Sequence, residues 1–246
     1  MWLVLCETQD VAAQWAYLGL LARGVEPLEL ITSTNLAQAV CWEHRLGNDG
    51  VLTTVTLADG RHISSSDVHG ALNRLLTAPS ALLPLARPSE KAYASQELVS
   101  FFLSWLYSLP GPVLNRPTPQ GLSGQWRHLS EWVWLSAKAG LPVSPYVVSA
   151  DAGSGYAPVQ MSLAPPDAPV RTVLLVGNQV VGDSIPEAIA EGCRRLGQLA
   201  NTALLGIDFA ANPEGYWTFT SATPLPDLRQ GGEAVLDAMA AKLTGG

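Results

Sequence analysis

Four histidines, three cysteines and a scatter of arginines and acids are the side chains through which this 246-residue sequence could do chemistry. His44, His62, His69 and His128 fall on different elements, and none pairs at the spacing of an HExxH zinc site. Cys6, Cys41 and Cys193 are far apart and form no CxxC pair. That argues against zinc and against a disulfide framework, and it fits a reducing, cytoplasmic setting. A serine nucleophile on a tight strand-to-helix turn needs G-x-S-x-G. The glycines around Ser123 and Ser154 have the wrong spacing for it. No GxGxxG follows a strand, which disfavours a dinucleotide site. Gly153-Ser154-Gly155 lacks the lysine and the helix that follow a phosphate loop, so it reads as a connector.

Arginines remain. A guanidinium fork holds carboxylates or phosphates bidentately. Arg74 closes the run ALNR, Arg116 follows Asn115, Arg171 opens a strand, and Arg229 lies two residues beyond Asp227. Each can be a ligand contact or a structural charge.

The elements that must carry these groups belong to an α/β chain. Hydrophobic residues make up 48% and charged residues 14%, enough apolar material for a core. The net charge of −7 gives no generic grip on nucleic acid or anionic lipid. No apolar run is long enough to span a bilayer, and the start lacks the basic region of a signal peptide. Eight tryptophans suggest buried surface beyond a minimal core, as at an interface with a partner or a second copy.

Residues 2–6 read as a buried strand, Asp10 as the cap of a helix over 11–23 ended by Gly24, and 25–32 as a second parallel strand. Residues 41–45 and 51–57 read as a hairpin across Gly47–Gly50, with a return at 61–64. A short helix is expected over 67–76 and a long one over 90–109. A strand at 113–115, a helix over 125–139, a hairpin at 171–182, a helix over 186–201, strands at 203–209 and 216–221 and a last helix over 231–243 follow. The Pro- and Gly-rich stretch 150–169 reads as a junction between lobes.

Three segments together resemble a known family. VLLVGNQVVGD, a helix, and LLGIDFAANPEGYWTFTSATPLPDL resemble the carboxy-terminal part of ATP-grasp proteins, of the ribosomal-protein glutamate-ligase and peptide-modifying ligase types. NRPTPQGLSGQWRHLSEWVWLSAKAGLPVSPYVVS resembles the approach to their ATP-binding part. The opening βαβ unit, with the hairpin ending in Asp59-Gly60-Arg61 and the run ALNRL, resembles the small preceding domain. The resemblance implies a βαβ pre-ATP-grasp domain over residues 1–112 and an ATP-grasp-like α+β lobe over 113–246. It also implies that Arg74, Asn115, Arg116, Arg171, Asp208, Asp227 and Arg229 flank a cleft.

Such ligases join a carboxylate to an amine through an acyl-phosphate, with Mg²⁺ bridging the ATP phosphates. The family carries an acid in the G-(I/V)-D strand and a Glu and an Asn two residues apart on the return strand. Asp208 matches the acid, but Ser221 and Thr223 stand at the other two positions. Only about twenty residues join PYVVS to VRTVLL, where the family has a subdomain bearing a lysine and a glycine-rich loop. No lysine lies in that interval. The expectation is therefore a shortened, degenerate ATP-grasp-like protein with no catalytic residue and no cofactor. It would bind a peptide, a small carboxylate or a partner enzyme. The alternatives are an active Mg- and ATP-dependent ligase with a site rebuilt from Asp208, Asp227 or Glu214, and a structural subunit.

Overall fold

The computed structural model describes residues 1–48, 50–79, 87–144, 146, 169–211 and 216–245. The chain forms two compact units, Met1–Trp126 with Asp227–Gly246, and Arg127–Pro226.

In the first unit, β1 (Trp2–Cys6), α1 (Val11–Leu21) and β2 (Leu28–Thr32) make the expected βαβ start. Asp10 caps α1, its Oδ1 accepting from the Ala13 N–H at 3.0 Å. Gly24 turns the chain out at φ +75°, a conformation that costs a residue with a Cβ. A short helix not foreseen, α2 (Ser33–Ala37), starts from a reciprocal cap between Thr32 and Asn35.

The expected helix over 67–76 is absent. A single 3₁₀ turn, Ser65–Asp67, is followed by strand β6 (Gly70–Arg74), parallel to β1 with Leu72 opposite Val4. All five residues of β6 are buried. Periodicity does not separate a short apolar run from a helical turn, and here burial on both faces of a parallel sheet decides.

The hairpin strands are β3 (Cys41–Gly47), β4 (Gly50–Thr56) and β5 (His62–Ser64), forming a separate antiparallel sheet in that order. Helix α3 (Pro88–Ser108) lies against it. Trp42 meets Phe101, Phe102 and Trp105 edge-on at 4.9, 5.2 and 5.8 Å. The core behind this contact also takes Leu3, Leu5 and Leu75. β7 (Val113–Leu114) completes the parallel sheet in the order β2-β1-β6-β7.

The second unit holds α4 (Leu129–Lys138), β8 (Val170–Val176), β9 (Gln179–Val181), α5 (Glu187–Ala200), β10 (Leu204–Ala211) and β11 (Trp217–Thr223). The sheet order is β11-β10-β8-β9, all antiparallel. Leu205, Ile207 and Phe209 alternate toward α4 and α5, where they meet Trp132, Cys193 and Leu196. Pro186 is the residue before α5 and not in its first turn, and Asn201 closes the helix at φ +50°.

The last helix, α6 (Gly232–Thr244), returns to the first unit, where Leu236 lies against Gly19 of α1. A boundary at residue 112 does not coincide with these units. β7 pairs with β6, and α6 packs on α1, so residues beyond 112 complete the first unit. The expected junction at 150–169 lies, but for Pro169, outside the described residues.

Candidate functional site

Asp208 lies mid-way along β10, opposite Thr172 of β8 and Ser221 of β11. Its Oδ1 accepts from the Thr172 hydroxyl at 2.7 Å and its Oδ2 from the Ser221 hydroxyl at 2.6 Å. A β-bulge sets this arrangement. Phe209 pairs with Phe219, yet Asp208 pairs with Ser221, so Thr220 is the extra residue. Without the bulge, Thr220 would oppose Asp208 and Ser221 would turn to the other face. Thr220 donates instead to the Asp208 carbonyl at 2.9 Å. Thr223 is turned to its own backbone, its Oγ1 accepting from the Leu225 N–H at 3.2 Å.

Arg171 is not brought to Asp208. It stands opposite Phe209, and its guanidinium lies 5.5 Å from the centre of the Trp217 ring. Neighbouring strand residues point to opposite faces, so Arg171 and Asp208 serve different surfaces.

In the first unit, Arg74 ends β6 with its side chain only 6% exposed. Its Nε donates to Asp10 Oδ2 at 2.7 Å. Asn115 is buried, and its carbonyl accepts from Asn73 Nδ2 at 2.9 Å. Arg116 caps a helix end: its guanidinium donates to the Tyr107 carbonyl at 3.0 Å and the Gly111 carbonyl at 2.9 Å. Those are orphan acceptors at and just beyond the last turn of α3. Asp227 and Arg229 form a pair at 2.7 Å. The hydrogen bond from Arg229 holds the Asp227 carboxyl below its usual range, with the Arg74 charge a lesser contribution. Glu214 and Gly153–Gly155 lie outside the described residues.

Burial pushes the Cys6 and Cys193 thiols up to about 12, which keeps both protonated and unreactive. An apolar hollow of about 680 Å³ opens between α3 and the loop after β7. Leu103, Tyr107, Pro117 and Pro119 line it, with Ser104 and Thr118 as polar points.

No family model and no curated protein matches the sequence. Solved structures do. The macrocyclase MdnC of Microcystis aeruginosa MRC, solved with precursor peptide MdnA, superposes with a TM-score of 0.74 at 14% identity over 100% of this chain and 99% of that one. This chain has the ATP-grasp fold. A RiPP-associated ATP-grasp ligase of Chryseobacterium gregarium, solved with ADP and a leader and core peptide, gives 0.70 at 12% identity over 99% and 96%. The ATP-grasp ligase PsnB, solved with a phosphomimetic variant of its minimal precursor, Mg and ADP, gives 0.68 at 16% identity over 98% and 97%.

The ATP-grasp fold raises the question of whether Asp208 and its neighbours fit a magnesium ion. Mg²⁺ takes hard, charged oxygen ligands in tight octahedral geometry. The described residues offer one carboxylate whose two oxygens already accept from neutral hydroxyls. Among the described residues no cluster of three or more His, Cys, Asp or Glu side chains is placed to hold a metal. The set lacks, among the described residues, the further charged oxygens that the ion takes. Sequence reasoning missed Thr172, because only the pairing of β8 with β10 brings it to Asp208.

Proposed function

We propose that this protein binds a peptide in a peptide-modification pathway and does not itself perform ATP-dependent ligation. The observation that carries the reading is that the groups bonded to the Asp208 carboxylate are two neutral hydroxyls, those of Thr172 and Ser221. A hydroxyl brings no charge, so exchanging a carboxylate for Ser221 removes the attraction that holds a divalent ion against triphosphate. Residues 150–169 contain no lysine, which leaves that stretch without a cation to grip phosphates.

The peptide half of the reading is supported by fold neighbours solved with precursor or leader peptides. The hollow beside α3 offers an apolar pocket with a few polar points for a peptide side chain. Arg74 and Arg116 are committed to Asp10 and to backbone carbonyls; Arg229 is paired with Asp227 but half exposed, the more open cation of the expected set in this unit.

The second reading, an active ligase, is favoured by the ADP and Mg in the PsnB structure. Titration calorimetry with Mg·ATP separates the two. The proposal expects no saturable heat at millimolar nucleotide. Micromolar binding that vanishes in Asp208→Ala would overturn the proposal and support the ligase reading.

A further inference from the structure

The hairpin sheet ends in a strand whose outer edge meets no other strand among the described residues. That strand, β3, reads CWEHRLG and contains no proline or lysine, the residues that usually blunt an edge. The direction of its backbone groups follows from its neighbour. Thr53 of β4 donates its N–H to Ser65 Oγ at 3.0 Å, on the β5 side. Backbone groups alternate sides along a strand. Leu52, Thr54 and Thr56 therefore turn toward β3, opposite Arg45, Glu43 and Cys41. On β3, those three residues spend their backbone groups inside the hairpin, and Trp42, His44 and Leu46 direct theirs outward.

We propose that two copies of this chain associate through this edge, β3 pairing antiparallel with β3 of the partner about a two-fold axis at His44. Two three-stranded sheets then become one continuous sheet, an isologous contact. The register is specified three times over. His44 is the midpoint of Cys41–Gly47, so the strands match over their whole length. The outward-directed residues oppose one another, Trp42 against the partner's Leu46 and His44 against the partner's His44, which gives paired backbone hydrogen bonds. Glu43 stands opposite the partner's Arg45, and Arg45 opposite the partner's Glu43, in the closer, non-hydrogen-bonded positions.

A half-residue shift of the axis would oppose outward-directed with inward-directed backbone groups, and a whole-residue shift would set Glu43 against itself or Arg45 against itself and shorten the overlap. The charges are available for the exchange. Glu43 and Arg45 now bond each other at 2.6 Å on the surface, with side chains 49% and 69% exposed, and such a pair holds weakly. Leu46, 69% exposed, gains the partner's Trp42 as a cross-strand neighbour. The proposal is independent of nucleotide and of the peptide reading.

The test is the solution mass of the full chain by light scattering and sedimentation equilibrium. The wild type should show twice the 26.1 kDa of one chain at tens of micromolar. Glu43→Arg and Arg45→Glu should each weaken self-association by about tenfold or more, because each sets like charges opposite one another twice per interface. An equal mixture of the two folded variants should regain the dimer, since each then meets its complement. The double exchange Glu43→Arg with Arg45→Glu should dimerise alone. A monomeric wild type, single variants that associate like the wild type, or a mixture that stays monomeric would each overturn the proposal. Far-ultraviolet circular dichroism confirms that the variants compared are folded.

Discussion

Replacing Asp10 with alanine should remove two separate supports at once, and their sizes can be worked from the geometry. One is the cap: Asp10 Oδ1 accepts from the Ala13 N–H at 3.0 Å, and losing such a cap costs about 1 kcal/mol. The other is the pair with Arg74. Its side chains are 6% and 14% exposed, so the guanidinium loses its carboxylate in a place water barely reaches. Breaking a buried pair from one side costs about 3 kcal/mol or more. The sum, about 4 kcal/mol, should lower the melting temperature of a chain of this size by roughly 10 °C. Asp10→Asn separates the supports, because the amide oxygen still caps while the charge is gone, and about 3 kcal/mol should be lost. Arg74→Met should cost less, since it removes the buried charge itself. A urea-denaturation cycle of Asp10→Asn, Arg74→Met and the double variant should give a coupling of about 2 kcal/mol. A coupling under about 0.5 kcal/mol would refute the reasoning and show that Arg74 does not depend on Asp10 for its place in the fold.

Three further outcomes follow from the same geometry. A thiol-alkylating reagent at pH 8 should label one of the three cysteines in the folded chain, the exposed Cys41, and all three in denaturant; rapid labelling of Cys6 or Cys193 would contradict their burial and raised pKa values. Gly111→Ala should destabilise by about 2 kcal/mol or more in chemical denaturation, because a Cβ there would lie 1.7 Å from the His69 carbonyl oxygen, a backbone atom that cannot swing aside. Arg229→Met should flatten the acid limb of stability against pH. The Asp227 carboxyl is held below its unfolded value by Arg229, so it contributes stability that is present above about pH 4 and lost as pH falls through the folded value. The variant should leave stability between about pH 5 and 8 little changed in shape, and an unaltered acid limb would count against the pair.

Local chemistry was legible in the sequence, and pairing between distant segments was not. Asp10 as a cap, Gly24 as a stop and the Gly177-Asn178 hairpin turn all depend on residues within a few positions of one another. β6 was read as a helix because its partner, β1, lies nearly seventy residues earlier in the chain, and only that pairing buries both of its faces. The bulge at Thr220 is a property of two strands taken together, and it alone turns Ser221 toward Asp208. α6 returns to α1 beside Gly19, where a Cβ would lie 2.4 Å from a Leu236 methyl, a fit that a single glycine in a helical run does not announce. Asp208 and Ser221, which the resemblance sets at two of the family's ligand positions, meet through the bulge at Thr220. Arg116 went to the α3 carbonyls and Arg171 to Trp217, since a guanidinium serves backbone oxygens and aromatic faces as readily as ligands.

The most direct test of the central claim is to grow crystals with Mn²⁺ and a non-hydrolysable ATP analogue and to locate the manganese by its anomalous scattering. The account predicts no peak at Asp208, with its carboxylate still accepting from Thr172 and Ser221. Manganese bound to a displaced Asp208 carboxylate and to analogue phosphate oxygens would contradict it.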